Sequence, residues 1–312
     1  MKTQPRKNSV TERLKGIIST IPALAVPFEE RVPLGGWPQY FGSYENQRWG
    51  AFDSDSCYFL SVVNSFEDQL DYLRASGEMP PSTVAFAQSN GFIDAQNDFS
   101  VSERAGEIAG GARDSGGNAP MTWSVLESGV IVPRSMLSYS VAKADSFQTQ
   151  EQFDDDYFNP AALTPAMRSI GKQFRSLLTI QHRTIGTPWQ TPAREILEHF
   201  LLQAPITIGI PIPANWNVVD VLWDGGKVPV HEVELYGFDA QGRYLIFDQY
   251  EPHLKTLSAD YYVPLVTQGV VGCVQAQAVV PAIPQDAVKN RFWTAVSDWY
   301  NNIIDPVPVG SS

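Results

Sequence analysis

The sequence predicts an α+β fold with two lobes, and three observations predict it. Apolar residues recur at three- and four-residue steps through the first half of the chain. From Ala204 onward they alternate in β-branched runs instead. Helices and strands are therefore segregated along the chain, as α+β architecture requires. The third observation is size: 312 residues with 43% hydrophobic content and 8 Trp suffice for one large core or two medium ones.

Residues 1–30 read as an arm, basic first (Arg6, Lys7, Arg13, Lys15), then apolar, then broken by Pro22 and Pro27. Ala23-Leu24-Ala25 mimics a signal-cleavage site. The apolar stretch before it is short, holds Ser19, Thr20 and Pro22, and follows a polar lead with Glu12, so an arm is expected rather than a secretion signal. Residues 31–56 are loop-like, with Gly35-Gly36 and Pro38. A helix is expected from Cys57, with Phe59, Val62, Val63, Phe66, Leu70 and Leu73 on one face and Asp53 to Ser56 as N-cap candidates. Residues 76–98 are expected to be irregular around Pro80-Pro81, and the glycine-rich stretch 102–120 to turn closely. Residues 121–130 predict a short helix ended by Gly129. Residues 141–165 are polar and acidic and read as surface loop. Helices are expected over 166–178 and 191–203, the second opened by Thr191-Pro192. Strands follow at 206–212, 228–239, 243–250 and 269–280, with a turn at Gln241-Gly242. The expected division is an arm (1–30), a domain (31–285, helical lobe about 45–140, β-rich lobe about 190–285) and an amphipathic tail (286–312) after a Pro-rich linker. A protein partner is expected, if anywhere, at the arm or the tail.

Charge and composition exclude several classes. The 22 Lys+Arg against 34 Asp+Glu give −12, the wrong sign for a general nucleic-acid binder. No apolar run approaches the ~18 residues of a membrane span. Two cysteines make no disulfide framework, and Cys273 sits in what reads as a buried strand. With four His and neither paired C-x-x-C nor H-E-x-x-H, no metal and no cofactor are expected.

The other cysteine is placed differently. A thiol is a nucleophile only as thiolate, and the unpaired N–H groups and dipole of a helix start favour that anion. Cys57 is at such a start. It would need an imidazole partner and a group to orient that partner. His231 and Asp248 fit. In V-H-E-V-E-L, His231 shares a strand face with Val233 and Leu235, and on the next strand Tyr244, Ile246 and Asp248 share a face. A hairpin turning near Ala240-Gln241-Gly242 with a one- or two-residue bulge brings the two residues together.

At these residues the chain resembles the papain-like cysteine peptidase family. Ser56-Cys57-Tyr58 is similar to its nucleophile signature, and Asn46-Gln47 to its N-Q. F-S-V-S-E-R resembles its L-S-x-Q/E, and Ser115-Gly116-Gly117 with a short helix and Tyr139 its N-G-G pattern. L-L-Q-A-P-I-T-I-G-I resembles the strand before the His, and H-E-V-E-L-Y-G-F-D…Y-L-I-F-D-Q-Y its H-A-V…Y-W-I-x-K-N-S-W. The matches run in order over about 45–260. The resemblance implies a papain-like two-lobed fold with a cleft between the lobes, and a cysteine endopeptidase acting on a polypeptide through an acyl-enzyme. It implies Cys57 as nucleophile, His231 as acid and base, Asp248 as its orienting group, Gln47 as oxyanion donor, and Gly116 and Gly117 as backbone contacts for substrate.

The chain also departs from the pattern. Asp248 stands where the family has Asn, and Gln249-Tyr250-Glu251 where it has S-W-G. Four extra residues separate Gln47 from Cys57, and Asp53 and Asp55 bring negative charge near the thiol. Ser54 and Asp114 replace half-cystines, which fits a cytoplasmic or other reducing compartment. The arm is shorter than the family's inhibitory propeptide. The departures favour a rival expectation, a papain-fold binding or structural module without turnover; a third is acyl transfer to an amine other than water.

Overall fold

The apolar stripe that begins at Cys57 folds as one helix, α1 (Cys57–Ala75). In the computed structural model, which describes residues 30–42, 46–111, 119–186, 194–213, 216–222, 230–261 and 271–279, this helix is the axis of the first lobe. Phe59, Val62, Val63, Phe66, Leu70 and Leu73 are buried in a core with Phe92, Trp123, Leu126 and Phe174. Two further helices of that lobe lie where the sequence reads as irregular or turning. Pro80-Pro81 opens α2 (Pro81–Ser89), because proline is pre-set for a first helical turn. Helix α3 (Glu103–Gly110) is capped by the Ser102 side chain and ended by left-handed Gly111. Its Gly106 serves close packing rather than a turn: a Cβ there would lie 1.6 Å from the Phe59 ring. Helix α4 (Ala119–Ser128) follows the expected span and stops before Gly129, at φ +83°.

Residues 141–165 are not simply surface loop. They form α5 (Val141–Ala144) and α6 (Gln150–Tyr157), and α6 buries Phe153 and Tyr157 one turn apart. The Asp154-Asp155-Asp156 run hides that stripe in the sequence. Helix α7 (Pro165–Ser176) completes the lobe, and α8 (Arg194–Leu201) leads into the second.

Two short strands, β1 (Arg48–Trp49) and β2 (Phe52–Asp53), form a hairpin before α1. The others are β3 (Leu178–Gly186), β4 (Ile206–Pro211), β5 (Asp220–Val221), β6 (Val230–Phe238), β7 (Tyr244–Phe247), β8 (Leu254–Leu257) and β9 (Val271–Ala278). Among the described residues they make one sheet in the order β3-β9-β4-β6-β7-β8-β5, antiparallel except for β5 with β8. A second core of Ile206, Ile208, Ile210, Val233, Leu235, Ile246 and Leu257, closed by Leu197 and Phe200, defines the β-rich lobe. The architecture is therefore α+β with two cores. Strand β6 serves both lobes. Val233 and Leu235 enter its own core, while Glu232 and Glu234 are buried on the alternate face, where β6 packs on α1.

By contacts the chain divides into residues 1–278 and 279–312, and only Val279 of the second unit is described. The arm up to residue 29, the Gly116-Gly117 pair and the tail lie outside the described residues. No described helix is long and apolar enough to cross a membrane.

Candidate active site

The residues between Gln47 and Cys57 are the β1–β2 hairpin, turned at Gly50 with φ +64°. The hairpin folds the backbone of Gln47 against Ser54, whose N–H and hydroxyl both donate to Gln47 O, at 3.1 and 3.0 Å. Asp55 then adopts φ +51°, a left-handed turn that Asp tolerates, and α1 begins. Ser56 occupies the N-cap without capping; its hydroxyl instead lies 2.5 Å from that of Ser54. Cys57 is thus at the first position of α1, half-buried and free.

The imidazole comes from the other lobe. Strands β6 and β7 pair antiparallel from Phe238↔Tyr244, and the register slips once between Leu235 and Gly237. This bulge lies in the hairpin that joins His231 to Asp248. His231 Nε2 is 2.6 Å from Asp248 Oδ1, and Cys57 lies close enough to act on the imidazole. Nε2 is taken by Asp248, so Nδ1 is the nitrogen left for the thiol. Burial opposes a charge on His231. The Asp248 carboxylate and Cys57 outweigh it, and the imidazole is pushed up to about 10. Burial likewise opposes ionised Asp248, yet His231 and Lys255 hold its carboxyl below the usual range.

Three residues given no role from the sequence complete the surroundings. The Tyr250 ring covers His231 at 5.2 Å, and Trp216 meets it edge-on at 5.6 Å. Lys255 is buried and donates to Asp248 Oδ2 at 2.5 Å. A sequence signal for Lys255 existed. In L-K-T-L the alternation points Lys255 inward with Leu257, and a lysine on a buried face implies a buried anion.

Gln47 is buried, and its amide is occupied. Nε2 donates to Asp53 Oδ1 at 2.8 Å and to the Tyr250 hydroxyl, which in turn donates to Asp53 Oδ2 at 2.7 Å. Both amide hydrogens are used, so this clasp leaves Gln47 no donor for a third group. Asp55 is exposed; partial desolvation raises its carboxyl, and Asp53 and Asp154 raise it further.

A set of buried acids lies behind the site. Asp68 of α1 and Glu234 of β6 are both buried and act on each other across the lobes. Burial raises Glu234 to about 8, and burial with Glu234 beside it raises Asp68 well above the carboxylate range. Burial also raises Glu232 and Glu103 to about 7, and Glu67 and Glu107 well above their ordinary value. Glu107 lies near Ser56, beside the thiol. No group of three or more His, Cys, Asp or Glu among the described residues could hold a metal ion.

No protein-family model and no curated protein sequence matches the chain. Among solved structures, it is similar to the proform of the Amb a 11 cysteine protease, a ragweed pollen allergen, at 13% identity and TM-score 0.49, over 85% of this chain and 70% of that one. It is similar to bromelain from Ananas comosus at 10% identity and TM-score 0.44, over 78% and 97%. A digestive procathepsin L from Tenebrio molitor larval midgut gives 14% identity and TM-score 0.47, over 81% and 70%. Likeness at this level says nothing of activity.

Proposed function

We propose that the chain is a papain-like cysteine peptidase, and one observation carries the reading: His231 lies between Asp248 and a thiol at the first position of a helix. The Cys57 thiolate attacks a peptide carbonyl and His231, as imidazolium, protonates the leaving amine. The neutral imidazole then takes a proton from water, which attacks the acyl-enzyme and frees the second product. Asp248 holds the tautomer that presents Nδ1 to the thiol and stabilises the imidazolium. The Cys57 N–H is the primary oxyanion donor. Gly116 and Gly117 would bind an extended substrate by backbone hydrogen bonds.

The test is alkylation of Cys57 by iodoacetamide across pH, read by peptide mass spectrometry, followed by a screen of peptides for cleaved products. The reading expects fast labelling well below the free-thiol pKa of about 8.5, lost in His231→Ala. Labelling that rises only near that value, or ignores His231→Ala, would overturn it.

One observation favours the rival, a papain-fold module without turnover: the clasp on Gln47. It also gives a prediction. While Asp53 holds the amide, Gln47→Ala should lower kcat/KM by far less than the ~10²–10³-fold typical of an engaged oxyanion donor. In an Asp53→Ala background the same change should approach that size. Equal effects in both backgrounds would mean that Gln47 never reaches the oxyanion.

A further inference from the structure

Asp248 is wholly buried beside His231. The papain-like resemblance leads one to expect a neutral amide there, so this site carries one extra negative charge. A buried anion needs a counter-charge as well as hydrogen bonds. Lys255 supplies both. Its ammonium donates to Asp248 Oδ2 at 2.5 Å, Tyr250 O at 2.6 Å and Pro252 O at 2.6 Å. These three acceptors use all three hydrogens. A neutral amine has only two, and its lone pair would face an oxygen, so the geometry requires the charged form. Burial pulls the Lys255 ammonium toward losing its proton, and Asp248 opposes that loss. The Trp216 ring, 5.1 Å away, further accommodates the cation.

The Cys57–His231 pair of the proposed function, on which this step rests, puts a thiolate and Asp248 against an imidazolium and Lys255. The four charges cancel. We infer that Lys255 is a positioning residue that keeps the thiolate–imidazolium pair electroneutral, and so sets the pH range over which the pair exists. It acts through Asp248 and touches neither reacting atom. Removing a buried positive charge makes every nearby deprotonation harder. Loss of Lys255 should therefore move the acid limb, where the pair forms, and the alkaline limb, where imidazolium loses its proton, upward together.

Other charged and titratable groups face this set. They are Asp53 and Arg48 from the hairpin, Tyr58 and Glu107 from α1 and α3, Glu232 from β6, and Tyr250 and His253 after β7. All are unchanged in the variants, so differences between variants isolate Lys255 and Asp248.

The experiment uses the full chain and two readouts, the acid limb of Cys57 alkylation by iodoacetamide and the His231 ring titration by NMR. Lys255→Met should move both up by about one pH unit. Asp248→Asn, which leaves Lys255 uncompensated, should move both down by about as much. The double variant, with neither charge, should return close to the wild type. Unchanged midpoints in Lys255→Met, with only a lower Tm, would make Lys255 mere structural support and overturn the inference. If Lys255→Met does not fold, Asp248→Asn and the double variant decide: midpoints that coincide overturn it. A wild-type limb at the free-thiol value would sink the Cys57–His231 pair itself. The ordering of the His231 titrations across the variants would still test the influence of Lys255.

Discussion

Replacing His231 by Ala is expected to lower peptide turnover by about 10⁴-fold or more, the scale on which members of such catalytic sets fail singly. The chain should stay folded. Asp248 keeps its bond to Lys255, so no anion is stranded in the interior. The space vacated lies between Trp216 and Tyr250. Added imidazole has the size and the nitrogens to occupy it, so turnover in His231→Ala should recover in part as imidazole is titrated in. Cys57→Ala should be equally inactive and should not recover. A His231→Ala protein that cleaves at the wild-type rate would remove the imidazole from the mechanism.

The second large effect is on stability. Among the buried acids, Asp71, Glu103 and Glu232 are raised to about 7 and Glu234 to about 8, with burial the leading cause in each. Their unfolded values lie near 4. The native protein therefore holds protons that the unfolded chain has released. That contribution is complete below pH ~4 and is lost as pH rises through 7 to 8. Asp248 and Asp156, held low, work in the opposite direction and limit stability in strong acid. Each pH unit between unfolded and folded midpoints corresponds to ~1.4 kcal/mol, so the loss over several groups is several kcal/mol. Melting followed by circular dichroism should give a Tm about 10 °C higher at pH 5 than at pH 8.5. Glu234→Gln, which gives Asp68 an amide donor in place of a second carboxyl, should recover part of that difference at pH 8.5 and change little at pH 5. A Tm that is flat across this range would show that the carboxyls are not buried as protonated groups.

What could be read from the sequence follows from the range of the interactions involved. Period and alternation are local, and they placed α1, α4, α7 and strands β4, β6, β7 and β9 close to their observed spans. The β6–β7 turn and its bulge were also legible, since a hairpin is local too. The misreadings have common physical causes. Gly106 looked like a turn because a sequence does not show that Phe59 needs its empty side. Helix α6 was masked by three consecutive Asp, although Phe153 and Tyr157 carried the stripe. Strand β3 gains its order by pairing with β9, nearly a hundred residues later in the chain. At the site, Cys57, His231 and Asp248 were legible as residue types in suitable places. The clasp on Gln47 joins residues 203 positions apart and was not legible, whereas the support from Lys255 is local and its signal, a lysine on a buried strand face, was not weighed. The acidic approach to the thiol, read as a repulsive feature, contains an Asp53 whose oxygens are occupied by Gln47 and Tyr250.

The distance along the chain between the parts of the site has a consequence for synthesis. Cys57 leaves the ribosome 174 residues before His231, counting from 57 to 231, and Asp248 and Lys255 follow later still. At roughly 5–20 residues per second, this interval lasts on the order of 10–35 s. Through that time the nascent chain carries a thiol with acidic neighbours but without the His231 imidazole. On the proposed reading, the polypeptide cannot cut itself or the chains around it while it is being made, and competence arrives only when its last-made lobe closes on the first.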